Sequence, residues 1–308
     1  MADSSHLRIG SRGSQLALWQ ANHVAERLRA RGHEVSIEII RTTGDAMQNL
    51  TFTQVDAKGI FTKEIEDALA EGRIDLAVHS LKDLPTALDG LFTLAAIPER
   101  ADASDAFVSM RYESFAALPA GSRVGTSSLR RQAQLRAQRQ DLEYIEFRGN
   151  VDTRLRKLAE GQAEAVILAA AGLERLNRTE HIRELFPALI LCPAAGQGAL
   201  AIETRADDAQ TIASLSFLDH AATRFAVTAE RAALAALGGG CQVPIGIYCE
   251  GAGEGFLIAG VVAAPDGTSI LRAELEHQRG ASAEALGEKL ARRLLKQGAD
   301  RLLQANVP

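Results

Sequence analysis

Four stretches of this 308-residue chain bring together side chains that could do chemistry. The first is Val78-His79-Ser80-Leu81-Lys82-Asp83-Leu84-Pro85. It follows a strand-like run, Ile74 to Val78, and so places its polar groups where open α/β sheets bind ligands. Asp83 is a carboxylate whose ionised form the adjacent Lys82 favours. The plainer reading is a strand-end turn with a solvated ion pair, and His79 alone reads as a hydrogen-bonded structural histidine before it reads as a ligand. The second stretch, residues 121–160, sets nine cations (Arg123, Arg130, Arg131, Arg136, Arg139, Arg148, Arg154, Arg156, Lys157) against five anions, an excess of four in a chain of net charge −5. Arg130 and Arg131 fall in a first helical turn, where the helix dipole disfavours cations, so an anion is expected to neutralise them. Guanidinium forks match carboxylates, and a polycarboxylate ligand suits this excess. For Arg136, Arg139 and Arg156 a solvated helix face is as good a reading.

The third stretch is Leu237-Gly238-Gly239-Gly240-Cys241-Gln242-Val243-Pro244. Three glycines let the backbone turn sharply and put the Cys241 thiol on a loop. A loop cysteine is more often structural than reactive, and both readings stay open on these residues alone. Cys249, alternating with Ile245 and Ile247, and Cys192, ending Leu189-Ile190-Leu191, read as core. The fourth stretch, Pro193-Ala194-Ala195-Gly196-Gln197-Gly198, suggests a hinge or a close backbone approach.

The elements that must position these groups follow from periodicity. Leu7–Ile9, Val35–Ile40 and Ile74–Val78 read as strands. A helix with Leu16, Trp19, Val24 and Leu28 on one side lies between the first two, and another runs over 62–70. The pattern restarts near 122 with a strand at 123–125, helices at 129–139 and 151–160, and a strand at 165–168. Two similar α/β lobes with mostly parallel sheets are expected, each opening with strand, small polar loop and helix. Such loops aim backbone N–H groups at one spot and make anion sites. After Asp219 come a helix (221–237), three strands (245–250, 256–263, 269–275) and a last helix (283–295), a small α+β domain on an antiparallel sheet.

Composition narrows the function. With 46% hydrophobic and 24% charged residues the chain suits a globular protein of two or three domains. The negative net charge, and the lack of aromatics among the arginines, speak against nucleic-acid binding. No apolar run reaches the roughly 20 residues a membrane helix needs. No basic-then-apolar leader opens the chain. Three cysteines, odd in number and without a CxxC pair, speak against disulfides and structural zinc and point to a reducing cytoplasm.

Taken in order, the motifs resemble the porphobilinogen deaminase family over essentially the whole chain. They are Ile9-Gly10-Ser11-Arg12-Gly13-Ser14-Gln15-Leu16-Ala17, Lys58-Gly59-Ile60-Phe61-Thr62-Lys63-Glu64 and Ala77 to Pro85. Gly125-Thr126-Ser127-Ser128-Leu129-Arg130-Arg131, Arg148-Gly149-Asn150-Val151-Asp152-Thr153-Arg154, Gly196-Gln197-Gly198 and Gly239-Gly240-Cys241-Gln242-Val243-Pro244 follow. The resemblance implies an α/β fold of two type-II periplasmic-binding-protein-like lobes, 1–98 with 199–216 and 104–192. A C-terminal α+β domain with an antiparallel sheet, 220–308, would carry the cofactor.

It further implies a monomeric cytoplasmic transferase of tetrapyrrole (heme) biosynthesis. Four porphobilinogen molecules would condense head to tail with loss of ammonia, and hydroxymethylbilane would be freed by hydrolysis. Carried over by position, Cys241 would hold a dipyrromethane cofactor through a thioether, and Asp83 would be catalytic. Lys82, Asp83, Thr126, Ser127, Ser128, Arg130, Arg131, Arg148 and Arg154 would bind the cofactor. Arg12, Ser14, Lys58, Ser80, Arg148, Arg154 and Gln197 would bind substrate, and no metal is implied. The chain departs from the family at Ala57, where a glycine is usual, and in the linker 100–105, which lacks an arginine and a proline. The competing reading is a non-catalytic two-lobed binding protein, which the fold alone would permit. It explains neither the triple-glycine cysteine loop nor the third domain.

Overall fold

Ser14 opens the first helix by local chemistry: its hydroxyl accepts from the N–H of Ala17, and α1 (Gln15–Arg29) ends with Arg27 and Arg29 in the last turn, where cations suit the dipole. Its buried stripe is Gln20, Ala21, Val24, Ala25 and Leu28. The stripe expected through Trp19 is therefore rotated. Trp19 is 36% exposed and stacks on His23, ring centroids 5.0 Å apart. Alanines line the buried side because they let the helix backbone approach the sheet, which an indole would prevent.

The computed structural model describes residues 6–42, 62–239, 243–277 and 280–304. Packing divides the chain into two units, Met1–Arg100 with Ala199–Arg224, and Ala101–Gly198 with Phe225–Pro308. In the first unit β1 (His6–Ser11) pairs in parallel with β2 (Glu34–Ile39) and β3 (Leu76–Ser80). The strand β10 (Leu200–Arg205) inserts antiparallel between β3 and β4 (Phe92–Ala96), giving the order β2-β1-β3-β10-β4. The short helix α2 (Lys63–Ala70) packs Ile65, Ala68 and Leu69 with Ile40, Ile74 and Ala77.

The second unit repeats the plan. β6 (Arg123–Gly125) pairs in parallel with β7 (Glu143–Ile145) and β8 (Ala165–Ala169). β5 (Asp105–Val108) lies antiparallel between β8 and β9 (Ile182–Phe186), in the order β7-β6-β8-β5-β9. In each five-stranded sheet four strands thus run one way and one, β10 or β5, runs against them, a mostly parallel sheet as expected. The chain passes from one unit to the other and back, and the first strand after each passage, β5 or β10, enters antiparallel. Helices α3 (Leu129–Arg136), α4 (Val151–Ala159) and α5 (Ala170–Arg175) belong to this sheet, and α6 (Ala209–Leu215) follows β10.

The C-terminal segment forms α7 (Ala221–Ala236), the antiparallel sheet β11 (Ile245–Ala252), β12 (Gly255–Ala263) and β13 (Ile270–Glu276), and α8 (Ala283–Lys296). A further short helix, α9 (Ala299–Gln304), was not anticipated. Packing groups the third, antiparallel sheet with the second lobe. Two glycines explain the closeness. A Cβ at Gly246 would stand 2.5 Å from the Cys192 carbonyl oxygen, and one at Gly267 would stand 2.8 Å from the Ala137 nitrogen. Among the described residues no helix is long and apolar enough to cross a membrane.

Candidate functional site

In the first unit β3 runs directly into a single 3₁₀ turn, Leu81–Asp83. Leu81 is fully buried and donates its N–H to Ala199 O, and Leu84 is 4% exposed. These two apolar anchors pin the turn and leave Asp83 exposed at the strand end. A pocket there is lined by Arg12, Ser14, Gln20, His79, Ser80 and Asp83 together with Leu16, Ala17, Thr62, Ile65 and Val78. Gln20 Nε2 donates to Ser80 Oγ at 2.8 Å. The structure therefore brings the predicted Arg12, Ser14, Ser80 and Asp83 to one place. Lys82 is half-buried on the same turn.

In the second unit the loop after β6 is built by its own hydroxyls. Thr126 Oγ1 accepts from Ser128 N, Ser127 Oγ from Phe147 N and Ser128 Oγ from Arg131 N. The anion expected at Arg130 and Arg131 is found within the protein. Arg130 Nη1 lies 2.7 Å from Asp105 Oδ2, and Arg131 Nη2 lies 2.6 Å from Asp105 Oδ1. Asp105 is fully buried and both guanidiniums are nearly so. Burial alone would raise the Asp105 carboxyl, but the two adjacent guanidiniums outweigh it and hold the group far below the usual carboxylate range. Gln197, expected against substrate, is fully buried and donates Nε2 to Asp105 Oδ1 at 2.8 Å and to Ala103 O at 2.7 Å. Arg130 also donates to Cys192 O.

The rest of the arginine excess divides clearly. Arg123 pairs with Glu164, Arg139 with Asp141, Arg148 with Glu146 and Arg156 with Glu160. Arg136 lies over the Tyr144 ring and Lys157 over Phe147. Arg154 is different. Its Nε donates to Gly149 O, and no carboxylate among the described residues pairs with it. Burial, reinforced by the charge of Arg131, pushes its pKa down to about 10. Arg130, Arg131 and Arg154 set three guanidiniums against one carboxylate, an excess of two positive charges. That donor set fits a ligand bearing carboxylates.

Three buried carboxylates do work that was not foreseen. Besides Asp105, Glu230 on α7 accepts from Gly196 N and Cys249 N, tying the 193–198 turn to β11. Glu203 on β10 faces His79 at 3.0 Å. The signal that could have found Asp105 and Glu203 is a lone acid beside or inside an apolar run, Asp105-Ala106-Phe107-Val108 and Leu200-Ala201-Ile202-Glu203. Cys192 and Cys249 are buried as expected, and burial pushes the Cys192 thiol up to about 12. Cys241, Lys58 and Ala57 lie outside the described residues.

Residues 7–213 match the family described as porphobilinogen deaminase, dipyromethane cofactor binding domain, and 224–296 match porphobilinogen deaminase, C-terminal domain. The chain belongs to the porphobilinogen deaminase family. This is a transferase family, and its cofactor is dipyrromethane. A porphobilinogen deaminase of Laribacter hongkongensis is 50% identical over 299 residues, 96% of this chain and 97% of that one. One of Bordetella parapertussis is 50% identical over 310 residues, 100% and 98% of the two chains. One of Nitratidesulfovibrio vulgaris is 50% identical over 303 residues, 97% and 96%. Among solved structures, the Methionine Binding Protein, MetQ, aligns with 69% of this chain and 89% of its own at 12% identity and a TM-score of 0.46.

Proposed function

We propose that this chain condenses four porphobilinogen molecules head to tail, with loss of ammonia, on a dipyrromethane held by Cys241, and frees hydroxymethylbilane by hydrolysis. The observation that carries the reading is Asp83, an exposed carboxylate at the end of β3 in a pocket that also presents Arg12, Ser14 and Ser80. A carboxylate there accepts hydrogen bonds from pyrrole N–H groups. It also stabilises positive charge on the methylene carbon as ammonia departs, and moves a proton at its own oxygen. Arg12, Ser14, Lys58, Ser80, Arg148 and Arg154 are the groups proposed to hold the acid side chains of the substrate.

The dipyrromethane, when bound, supplies the primer to which the pyrroles are added. Arg154 and the net positive Arg130–Arg131–Asp105 group suit its carboxylates, and Lys82, Asp83, Thr126, Ser127, Ser128 and Arg148 are the further groups proposed to bind it. Gln197 acts at one remove by bracing Asp105. The chain works as a cytoplasmic monomer without nucleic-acid or membrane partners, a reading supported by its net charge of −5.

Intact-protein mass spectrometry tests the cofactor claim. The purified chain should exceed the polypeptide mass by one two-pyrrole adduct, and the adduct should vanish in Cys241→Ala. An unmodified mass in active protein would overturn the assignment.

A further inference from the structure

His79 has no task in the reading above, although it lines the same pocket as Arg12, Ser80 and Asp83. It is 7% exposed, and its Nε2 lies 3.0 Å from Oε2 of Glu203. Glu203 is fully buried in an inner strand, opposite Ala77 on β3, and its Oε1 has no hydrogen-bond partner among the described residues. A fully buried carboxylate costs stability unless a proton or cation answers it, so apolar packing does not explain its presence. A third group stands close. Glu66 on α2 is pushed above the usual carboxylate range by burial and by the charge of Glu203, with His79 drawing it back.

Resting on the porphobilinogen-condensing reading, we infer that His79, held by Glu203, is a second acid–base group of the Asp83 pocket. A carboxylate at Glu203 only accepts, so the contact assigns the Nε2–H of His79 as donor and leaves Nδ1 as the nitrogen that can exchange a proton. In each condensation the C–N bond of the substrate's ammonium breaks, its electron pair leaving with nitrogen as ammonia. A C–C bond forms between the freed methylene and the attacking pyrrole carbon, which gives up one proton. His79 takes that proton at Nδ1 and passes it to the departing ammonia, which leaves as ammonium, so the protein ends each cycle unchanged. Among the described residues, the charged groups that face His79 are Glu203 from β10 and Glu66 from α2, and Arg12 from the β1–α1 loop and Asp83 from the turn after β3 line the same pocket. Glu203 is a positioning residue in this scheme.

The test uses the full-length holoenzyme with Glu203→Gln and His79→Gln, each checked for the adduct by mass and for fold by circular dichroism. Both variants should keep the adduct and a near-normal KM for porphobilinogen. His79→Gln should lower kcat about a hundredfold and remove one limb of its pH profile. Glu203→Gln should lower kcat about tenfold, the size of effect seen when an orienting partner is lost. Independently of turnover, ¹⁵N NMR should place the proton of neutral His79 on Nε2 in the wild type and find mixed tautomers in Glu203→Gln. Unchanged kcat and pH profiles beside a working wild type would overturn the inference alone, as would a mixed tautomer in the wild type. A wild type that carries the adduct but makes no tetrapyrrole would overturn the functional reading and this inference with it. If His79→Gln does not fold, the kcat and tautomer of Glu203→Gln decide.

Discussion

Replacing Asp105 by asparagine removes the carboxylate that two buried guanidiniums share. In the wild type Asp105 lies 2.7 Å from Arg130 and 2.6 Å from Arg131, with Gln197 donating at 2.8 Å. Asparagine keeps one acceptor oxygen, loses the charge, and turns an NH₂ group toward neighbours that are themselves donors. Exposed ion pairs contribute about 0–1 kcal/mol, whereas breaking a buried one by removing a single partner costs about 3–5 kcal/mol. The full burial of Asp105 decides for the larger figure. Urea unfolding followed by circular dichroism measures it, and a loss under about 1 kcal/mol would refute the reasoning, because the pair would then be worth no more than a surface contact. The pH dependence gives a second check. Because the folded carboxyl sits below the usual range, its contribution is complete above the unfolded pKa of about 4 and is lost as pH falls toward the folded value. The difference between wild type and Asp105→Asn should therefore be constant from about pH 5 to 8 and shrink below about pH 4.

Asp83→Ala should leave stability within about 0.5 kcal/mol, since the side chain is exposed, while tetrapyrrole formation from porphobilinogen falls about a hundredfold or more. Near-normal turnover would remove Asp83 from the mechanism. Arg154→Met should unfold at the same or a higher urea concentration than wild type at neutral pH, because the native protein bears the cost of a desolvated charge there. That cost fades only as pH rises past about 10. The same variant should raise the KM for porphobilinogen about tenfold, and an unchanged KM would show that the guanidinium does not hold substrate. Gly198→Ala should destabilise by more than about 1 kcal/mol, because φ is +85° and the new Cβ would meet the Ala101 carbonyl oxygen at 2.5 Å; a thermal midpoint equal to wild type would contradict this.

Much of the site was legible because it is local. The 3₁₀ turn carrying Asp83 follows from a buried strand, two leucine anchors and Pro85 within ten residues. The caps at Ser14, Ser128 and Asn150 each reach a backbone N–H three residues on. The bounds of α4 and α8 differ from expectation by about one residue, the ordinary fraying of helix ends. Trp19 was misplaced because helical periodicity shows that a buried stripe exists more firmly than which neighbouring positions it covers.

From the sequence alone came the two restarting α/β patterns, the C-terminal antiparallel strands, the family's motifs and the positive excess of residues 121–160. Strand order, and the partner of each charge, belonged to the tertiary structure. β10 pairs with β3 across more than a hundred residues, and no local preference encodes that His79 will meet Glu203 or that Asp105 will meet Arg130 and Arg131. Charge is a property of composition, but neutralisation depends on distance and burial. Only the folded chain could show that Asp105 answers the Arg130–Arg131 pair from within, while Arg154 meets only the Gly149 carbonyl among the described residues.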